Sequence, residues 1–502
     1  MTAQAYTVAF EGLEARIVEV QCAISPGLPA FSLVGLPGKA VSEAKERVRA
    51  AIAALGLALP AKRITINLSP ADLPKGGSHF DLPIALALLA AMDAVPAEEV
   101  ASHVALGELS LAGDLIPVLG ALPAGLTAAA AGLGLICPQK CGAEAAWVGD
   151  ASVIAPVSLL ELVNHFAGRS VLSPAEPGTV TSHRDLPDLA DVKGQERARR
   201  AMEVAAAGRH HFLMVGAPGS GKSMLARRMP GILPKLTPKE ALETSMVHSM
   251  AGLLLDGGIS YDRPFMTPHH TASMAAIVGG GRGAKPGEIS LAHHGVLFMD
   301  EFPEFPRAVL ETLRQPLESG DVVISRANAH VRYPCKFMLV AAANPCRCGH
   351  MAEADRACAR VPVCGQEYLG KISGPLMDRF DIRIEVPPVS FEDLGGAPPG
   401  EPTAQVADRV ARARDLQEAR FADLPQVSTN ADLEGEALDA LAEPDAAGRA
   451  LLDEAAAKFR MSARGYHRVM RVARTIADLE GADIVSRAHI GEAIAYRVSY
   501  LA

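Results

Sequence analysis

Aromatic residues are scarce: 14 Phe, 7 Tyr and one Trp make up 4% of the 502 residues. With 49% hydrophobic residues and much alanine, that shortage suits helix-rich α/β units. The length is too great for one ordinary core and predicts two or three domains. A basic excess is also missing. Lys and Arg number 48 against 57 Asp and Glu, a formal charge of −9. This argues against a protein that coats nucleic acid with a basic exterior, but leaves room for a local basic channel. The N-terminus has neither a basic start nor an apolar core, so no signal peptide is expected. The uncharged run Val118–Cys137 is interrupted by Pro123 and four glycines and ends in "LGLICP". It predicts a helix plus a buried strand, with no membrane span. Cysteine is sparse, eight in all. Without a secretory signal this predicts a reducing cytoplasm and thiols that are free or metal-bound.

What is present falls into segments. "EARIVEVQCAI" and "RITINL" alternate like strands. "SEAKERVRAAIAALG" and "DLPIALALLAAMDAV" read as helices, the second with Asp81 as N-cap. These lie in a first unit, 1–168. A Pro/Ser/Thr-rich linker covers 169–188, and a second unit covers 189–394. After "GGAPPGEPT", a flexible joint, residues 395–502 are helical by pattern.

The strongest motif is "FLMVGAPGSGKSMLARRMP". An apolar strand enters a loop of Gly216, Ala217, Pro218, Gly219, Ser220 and Gly221. Lys222 and Ser223 then open a helix. Backbone N–H groups of such a loop face phosphate oxygens, the Lys reaches the β/γ-phosphates, and the Ser hydroxyl can ligate Mg²⁺. The predicted ligand is therefore ATP with Mg²⁺. "GVLFMDEF" adds a buried strand ending in Asp300, for Mg²⁺, and Glu301, to deprotonate the attacking water. "KFMLVAAANPC" ends in Asn344, which either touches the γ-phosphate or the water, or is a turn residue before Pro345. Arg379 in "GPLMDRFDIRIEV" is either a cation inserted into a neighbouring subunit's site or a surface ion pair. "SARGYHRVMRVARTIADLEG" predicts an amphipathic helix burying Tyr466, Val469, Met470, Ala473 and Ile476. Arg464 in its first turn is the candidate γ-phosphate sensor. Arg468 is the alternative, and a solvated basic face is the third reading.

In this order the motifs resemble the AAA+ ATPases of the magnesium-chelatase-like group, and within it the ComM (YifB) competence family. "PHHTASMAAIVGGG", "KPGEISLAHHGVLFMDEFPEF", "AAANPCRCG" and "ISGPLMDRFD" carry the likeness beyond the phosphate loop. The resemblance implies a P-loop AAA+ α/β core with a C-terminal helical lid. It also implies a hexameric ring with ATP between subunits, and DNA translocation with branch migration during natural transformation. Implied partners are further copies of the chain, single-stranded or branched DNA, and recombination proteins. Arg326 and His330 flank the tip of a hairpin in "DVVISRANAHVRYPC" that resembles the pore hairpin of ring helicases. Arg282 and Lys285 sit on a Gly-rich loop. These four are the candidate DNA contacts, although the hairpin could also only pack on its neighbour.

The first unit resembles the proteolytic domain of Lon, an α+β fold of the ribosomal S5 domain 2-like type. Lon chemistry needs a Ser nucleophile and a Lys base within hydrogen-bonding reach. Here the Ser position holds His79, with Ser78 one residue early, and the Lys position holds Ala124. No peptidase activity is expected, and a scaffolding or DNA-guiding role is. Cys346, Cys348, Cys358 and Cys364 in the loop 346–364 are candidate Zn²⁺ ligands. His350 could replace one of them, and four free thiols are the alternative. Two functions compete: a DNA motor, and a chelatase-type or chaperone-type remodeller of a protein partner.

Overall fold

Two sheets organise the computed structural model, which describes residues 2–149, 151–180, 186–254, 257–281, 284–326, 329–349, 351, 359–388 and 400–497. The N-terminal sheet contains β1 (Thr2–Glu11), β2 (Glu14–Ser25), β3 (Ala30–Val34), β4 (Arg63–Ser69), β5 (His103–Ala105), β6 (Gly134–Ile136) and β7 (Val153–Ile154), in the order β3-β4-β2-β1-β5-β6-β7. β1/β2 and β2/β4 pair antiparallel, and the remaining pairs are parallel. Its helices are α1 (Lys39–Ala54), α2 (Asp81–Ala91), α3 (Ala121–Ala130) and α4 (Gln139–Ala145). The run Val118–Cys137 therefore resolves into α3 followed by β6. No helix among the described residues is long and apolar enough to cross a membrane.

Helix α2 is buried all round, so it needs no polar stripe. Asp81 is not its N-cap, as the sequence suggests. Phe80 holds that position, and Asp81 begins the helix with its side chain turned inward. The fully buried carboxylate accepts Arg47 Nε at 2.5 Å, Arg47 Nη2 at 2.9 Å and Leu109 N at 3.2 Å. Burial pushes its pKa up, while the guanidinium and the backbone N–H pull it back. Removing the acid strands a cation. Asp81→Ala is thus expected to cost about 3 kcal/mol, the low end for a broken buried pair, because Arg47 keeps water on part of its side chain. A shift of the urea midpoint of this unit at constant slope would report it.

The second sheet has three fully apolar, fully buried strands at its centre. It comprises β8 (Phe212–Val215), β9 (Phe265–Met266), β10 (Val296–Met299), β13 (Met338–Ala343) and β14 (Ile382–Glu385), with the ribbon β11 (Asp321–Arg326) and β12 (Ala329–Pro334) preceding β13. Its order is β9-β10-β13-β8-β14, all parallel. Both faces are covered. Phe212, Met214, Val296 and Val340 pack with the C-terminal helices. Leu213, Val215, Leu297 and Leu339 pack with the opposite layer. Continuous hydrophobic strands are what two-sided burial requires. The helices around this sheet are α5 (Glu196–Gly208), α6 (Lys222–Ala226), α7 (Pro238–Ala251), α8 (Gly374–Met377), α9 (Thr403–Arg420), α10 (Ala446–Lys458), α11 (Ala463–Leu479) and α12 (Arg487–Arg497). In α11, Val469, Met470, Ala473 and Ile476 are buried as the periodicity predicts, and Tyr466 is half-buried.

The two sheets are joined through α4. Glu144 Oε1 accepts Leu122 N at 3.1 Å and the Ser249 hydroxyl of α7. The indole Nε1 of Trp147 donates to Gly257 O at 2.7 Å. Part of the expected linker also lies against the first unit, where Ala175 N bonds Val153 O. The Gly/Pro-rich joint before α9 falls mostly on 389–399, outside the described residues.

Candidate nucleotide site

In a parallel sheet, loops that leave the strands share one edge. β8, β10 and β13 all deliver theirs to the same place, which gathers residues from three distant stretches. After β8, Gly216 N bonds Ala343 O at 3.1 Å, tying the loop to the end of β13. A Cβ at Gly216 would meet Val386 O at 2.2 Å, so only glycine fits. The Lys222 ammonium lies inside the loop. It donates to Gly216 O at 2.8 Å and Ala217 O at 2.9 Å, and reaches Asn344 Oδ1 at 3.3 Å and Ser220 Oγ at 3.5 Å. Burial lowers its pKa, and Asp300 and Glu301 raise it again. An incoming anion would therefore find a poorly solvated cation ringed by oxygen acceptors. Pro218, Gly219 and Gly221 complete the turn, and both glycines have positive φ.

Ser223 Oγ donates to Asp300 Oδ2 at 2.6 Å. A hydroxyl and a carboxylate oxygen side by side form a hard-oxygen donor set that fits Mg²⁺. Glu301 follows with φ +51°, in the left-handed region. Its carboxylate faces His270, with Oε2 3.3 Å from Nδ1. His270 stands in the "PHH" stretch after β9, which pairs beside β10. Sequence reasoning gave it no role, because the contact spans 31 residues and no local spacing announces it. Asn344 sits at the end of β13, against the Lys222 ammonium.

Arg379 and Arg464 are elsewhere. β8 and β14 run parallel from Phe212↔Ile382 to Val215↔Glu385. Arg379, just before β14, therefore lies at the opposite sheet edge from the phosphate loop, about 13 Å away along the strands. Arg379 is mostly buried. It donates to Arg314 O at 3.0 Å, Pro375 O at 2.9 Å and Glu318 Oε2 at 2.6 Å. The ion pair expected as its alternative is thus formed. Arg464 is not brought to its own chain's phosphate loop; its Nη2 is 3.8 Å from Glu318 Oε1, beside Arg379. Arg468 donates to Arg379 O at 3.0 Å and pairs with Asp381. Burial alone would raise the Asp381 pKa, but Arg468 and the neighbouring His210 and His211 hold it well below the usual carboxylate range. Arg379, Arg464, Arg468 and Arg471 line one cleft, in which Glu318, Asp381 and Glu434 stand among the cations.

The Sγ atoms of Cys346, Cys348 and Cys364 lie within 4.8 Å of one another, with Cys346 and Cys348 3.1 Å apart. Cys358 and His350 lie outside the described residues. The thiol loop touches the phosphate loop: a Cβ at Gly349 would meet Pro218 Cγ and Cδ at 2.5 Å. A second cluster, Glu243, His293 and His294, has ligand-like spacing. Lys336 N, however, donates to His293 Nδ1 at 3.0 Å, which leaves the ring proton on Nε2, pointing at Glu243 3.5 Å away. A nitrogen carrying a proton offers no lone pair to a metal, so His293 is not set up as a ligand, and Glu243 is instead held by His294 Nε2 at 2.8 Å. Of the candidate DNA contacts, Lys285 is exposed on a short strand and Arg282 lies outside the described residues. Arg326 and His330 lie on the antiparallel ribbon β11–β12, the expected hairpin, and their side chains are outside the described set.

In the N-terminal unit, the two positions aligned with the Lon dyad are interior. His79 is buried with Nε2 2.8 Å from Val8 O, and burial lowers its pKa to about 4. Ala124 is fully buried in α3. The buried Lys75 points its ammonium at Pro70 O.

Three family profiles match in succession: "Subunit ChlI of Mg-chelatase" over 18–141, "Magnesium chelatase, subunit ChlI" over 188–394, and "Magnesium chelatase, subunit ChlI C-terminal" over 400–497. Among curated proteins, the chain is 43% identical over 500 residues to "Competence protein ComM" of Haemophilus influenzae, covering 98% of this chain and 96% of that protein. It is 40% identical over 493 residues to "Uncharacterized protein YifB" of Escherichia coli, with coverages of 98% and 96%. The "Magnesium-chelatase 38 kDa subunit" of Rhodobacter capsulatus is 26% identical over 351 residues, 64% of this chain and 88% of that protein.

Proposed function

This chain belongs to the ComM/YifB family of magnesium-chelatase-like AAA+ proteins, and from that premise we propose that it is an ATP-hydrolysing DNA motor that drives branch migration. The observation that carries the reading is the division of the chemistry between two sheet edges. The phosphate loop with Ser223, Asp300, Glu301 and Asn344 occupies one edge, and Arg379 with Arg464 occupies the other. A chain arranged so completes its site only against a second copy.

At that shared site Lys222 leaves its backbone acceptors for the β/γ-phosphates, and the loop N–H groups take the remaining oxygens. Ser223 and Asp300 would hold Mg²⁺, which when bound neutralises charge on the phosphate oxygens. Glu301 accepts a proton from water, the water oxygen bonds to the γ-phosphorus, and the β–γ bridging oxygen departs with ADP. Asn344 orients the water or the γ-phosphate, and the neighbour's Arg379 and Arg464 meet the charge of the transition state. The ribbon β11–β12, carrying Arg326 and His330, connects directly to the Asn344 strand, so hydrolysis has a short mechanical path to DNA. Lys285 and Arg282 add contacts. The N-terminal unit, anchored through Glu144 and Trp147, acts as a Lon-like scaffold or DNA guide, and recombination proteins are the natural partners.

The deciding assay is a synthetic three- or four-way junction with ATP and with a non-hydrolysable analogue. ATP-dependent resolution is expected, and ATPase activity that rises with forked DNA and falls with salt. Intact basal ATPase with no DNA response at low salt would instead favour the chelatase-type or chaperone-type alternative, remodelling of a protein partner.

The thiol loop is proposed as a zinc knot. Tetrahedral Zn–S bonds of about 2.3 Å put sulfurs about 3.8 Å apart, a spacing that three converging thiols meet with little movement. Purified protein is expected to carry one zinc ion per chain by elemental mass spectrometry, and Cys346→Ser and Cys364→Ser to lose it. Zinc-free wild-type protein with normal ATP binding would remove the idea.

A further inference from the structure

We propose that His270 is the positioning residue for the Glu301 carboxylate. The inference rests on the ATPase reading of the site and gives a role to a residue that the sequence left without one. Three independent observations lead to it. First, topology: β9 lies beside β10 in parallel register, Phe265↔Val296 and Met266↔Leu297, so the segment after β9 emerges next to Asp300 and Glu301. Second, geometry: His270 Nδ1 is 3.3 Å from Glu301 Oε2, and both residues line one cleft with Asp300 and Arg227. Third, backbone: Glu301 stands at φ +51°, a conformation that a non-glycine residue holds only when its surroundings fix it. The His270 ring is itself braced. It packs against His269, with centroids 4.2 Å apart, and meets Phe305 edge-on at 6.5 Å. His269 is in turn oriented by Thr271, whose Oγ1 is 2.8 Å from its Nδ1.

A general base must keep its carboxylate on the water it deprotonates. Glu301 is half exposed, and among the described residues His270 is the one ionisable side chain within ion-pair distance of its carboxylate. Without His270 the acid would sample several rotamers in solvent. From 3.3 Å, a small rotation of the neutral imidazole aims Nδ1–H at the carboxylate, which holds it while leaving it basic.

The test compares His270→Ala, His270→Asn and wild-type protein by steady-state phosphate release and by equilibrium ATP binding. Asn places an amide N–H where Nδ1–H stands. His270→Ala is expected to lower kcat by about 10- to 100-fold, part of what a positioned base supplies, with ATP affinity unchanged. His270→Asn should recover most of kcat. The proposal is overturned if His270→Ala turns over like wild type, if it loses ATP affinity along with turnover, or if His270→Asn is as slow as His270→Ala. A Glu301→Gln variant as fast as wild type would remove Glu301 as the base and this proposal with it, whereas wild-type protein with no ATP turnover would overturn the underlying ATPase reading.

Discussion

Glu301→Gln protein is expected to bind ATP as tightly as wild type and to hydrolyse it about 10²–10⁴-fold more slowly, the contribution of a positioned general base. In barrier height this is about 2.7–5.4 kcal/mol. The substitution preserves shape, and an amide oxygen can still accept from His270 Nδ1. What it removes is the affinity for a proton. Lys222, Ser223 and Asp300 keep their contacts, because none of them involves the Glu301 side chain. Phosphate release and equilibrium nucleotide binding, measured on the same preparation, separate the two effects. A variant that releases phosphate at the wild-type rate would mean that another group takes the proton.

Arg379→Ala is the second large effect, a loss of about 10³–10⁵ in turnover if the guanidinium serves a transferring phosphoryl group. Two explanations of such a loss must be told apart. Arg379 bonds Arg314 O, Pro375 O and Glu318 within its own chain, so its removal could act through local structure. Glu318, however, is largely exposed and can turn to water once unpaired, which keeps the structural cost small. Mixing resolves the matter. Arg379→Ala protein keeps an intact phosphate loop, and Lys222→Ala protein keeps an intact Arg379. Each alone is expected to be inactive, and mixtures of the two should regain turnover at junctions where the good loop meets the good arginine. Inactivity at every mixing ratio would count against a role between subunits and leave the intrachain ion pair as the explanation.

Much of the site was legible because its chemistry is local. The phosphate loop needs its glycines, Lys222 and Ser223 within eight positions, and Asp300 and Glu301 end an unmistakably buried strand. The covered parallel sheet was legible for the same reason, since both faces of β8 and β10 read as apolar. What escaped depends on partners far away in sequence. Asp81 has the right residue type for a helix cap, but a guanidinium 34 positions earlier makes a stronger bond than the helix end would. Arg464 stands in the first turn of an amphipathic helix, a good place for a sensor. Which sheet edge that turn reaches, though, is set by how α11 packs, and the packing carries it to Glu318. His270 sat in a quoted stretch without a role, since nothing nearby reveals that Glu301 is opposite.

The separation of phosphate loop and arginines onto opposite edges also decides which symmetries this chain can use. A two-fold pair matches unlike groups only reciprocally, so it would need one interface wide enough to span both edges at once. Head-to-tail contact joins one edge to the other without that demand, and then each added copy exposes a fresh unmatched edge. Such a series ends only by closing on itself, or else continues as a filament, and which of these occurs is fixed by the angle at a single repeated joint.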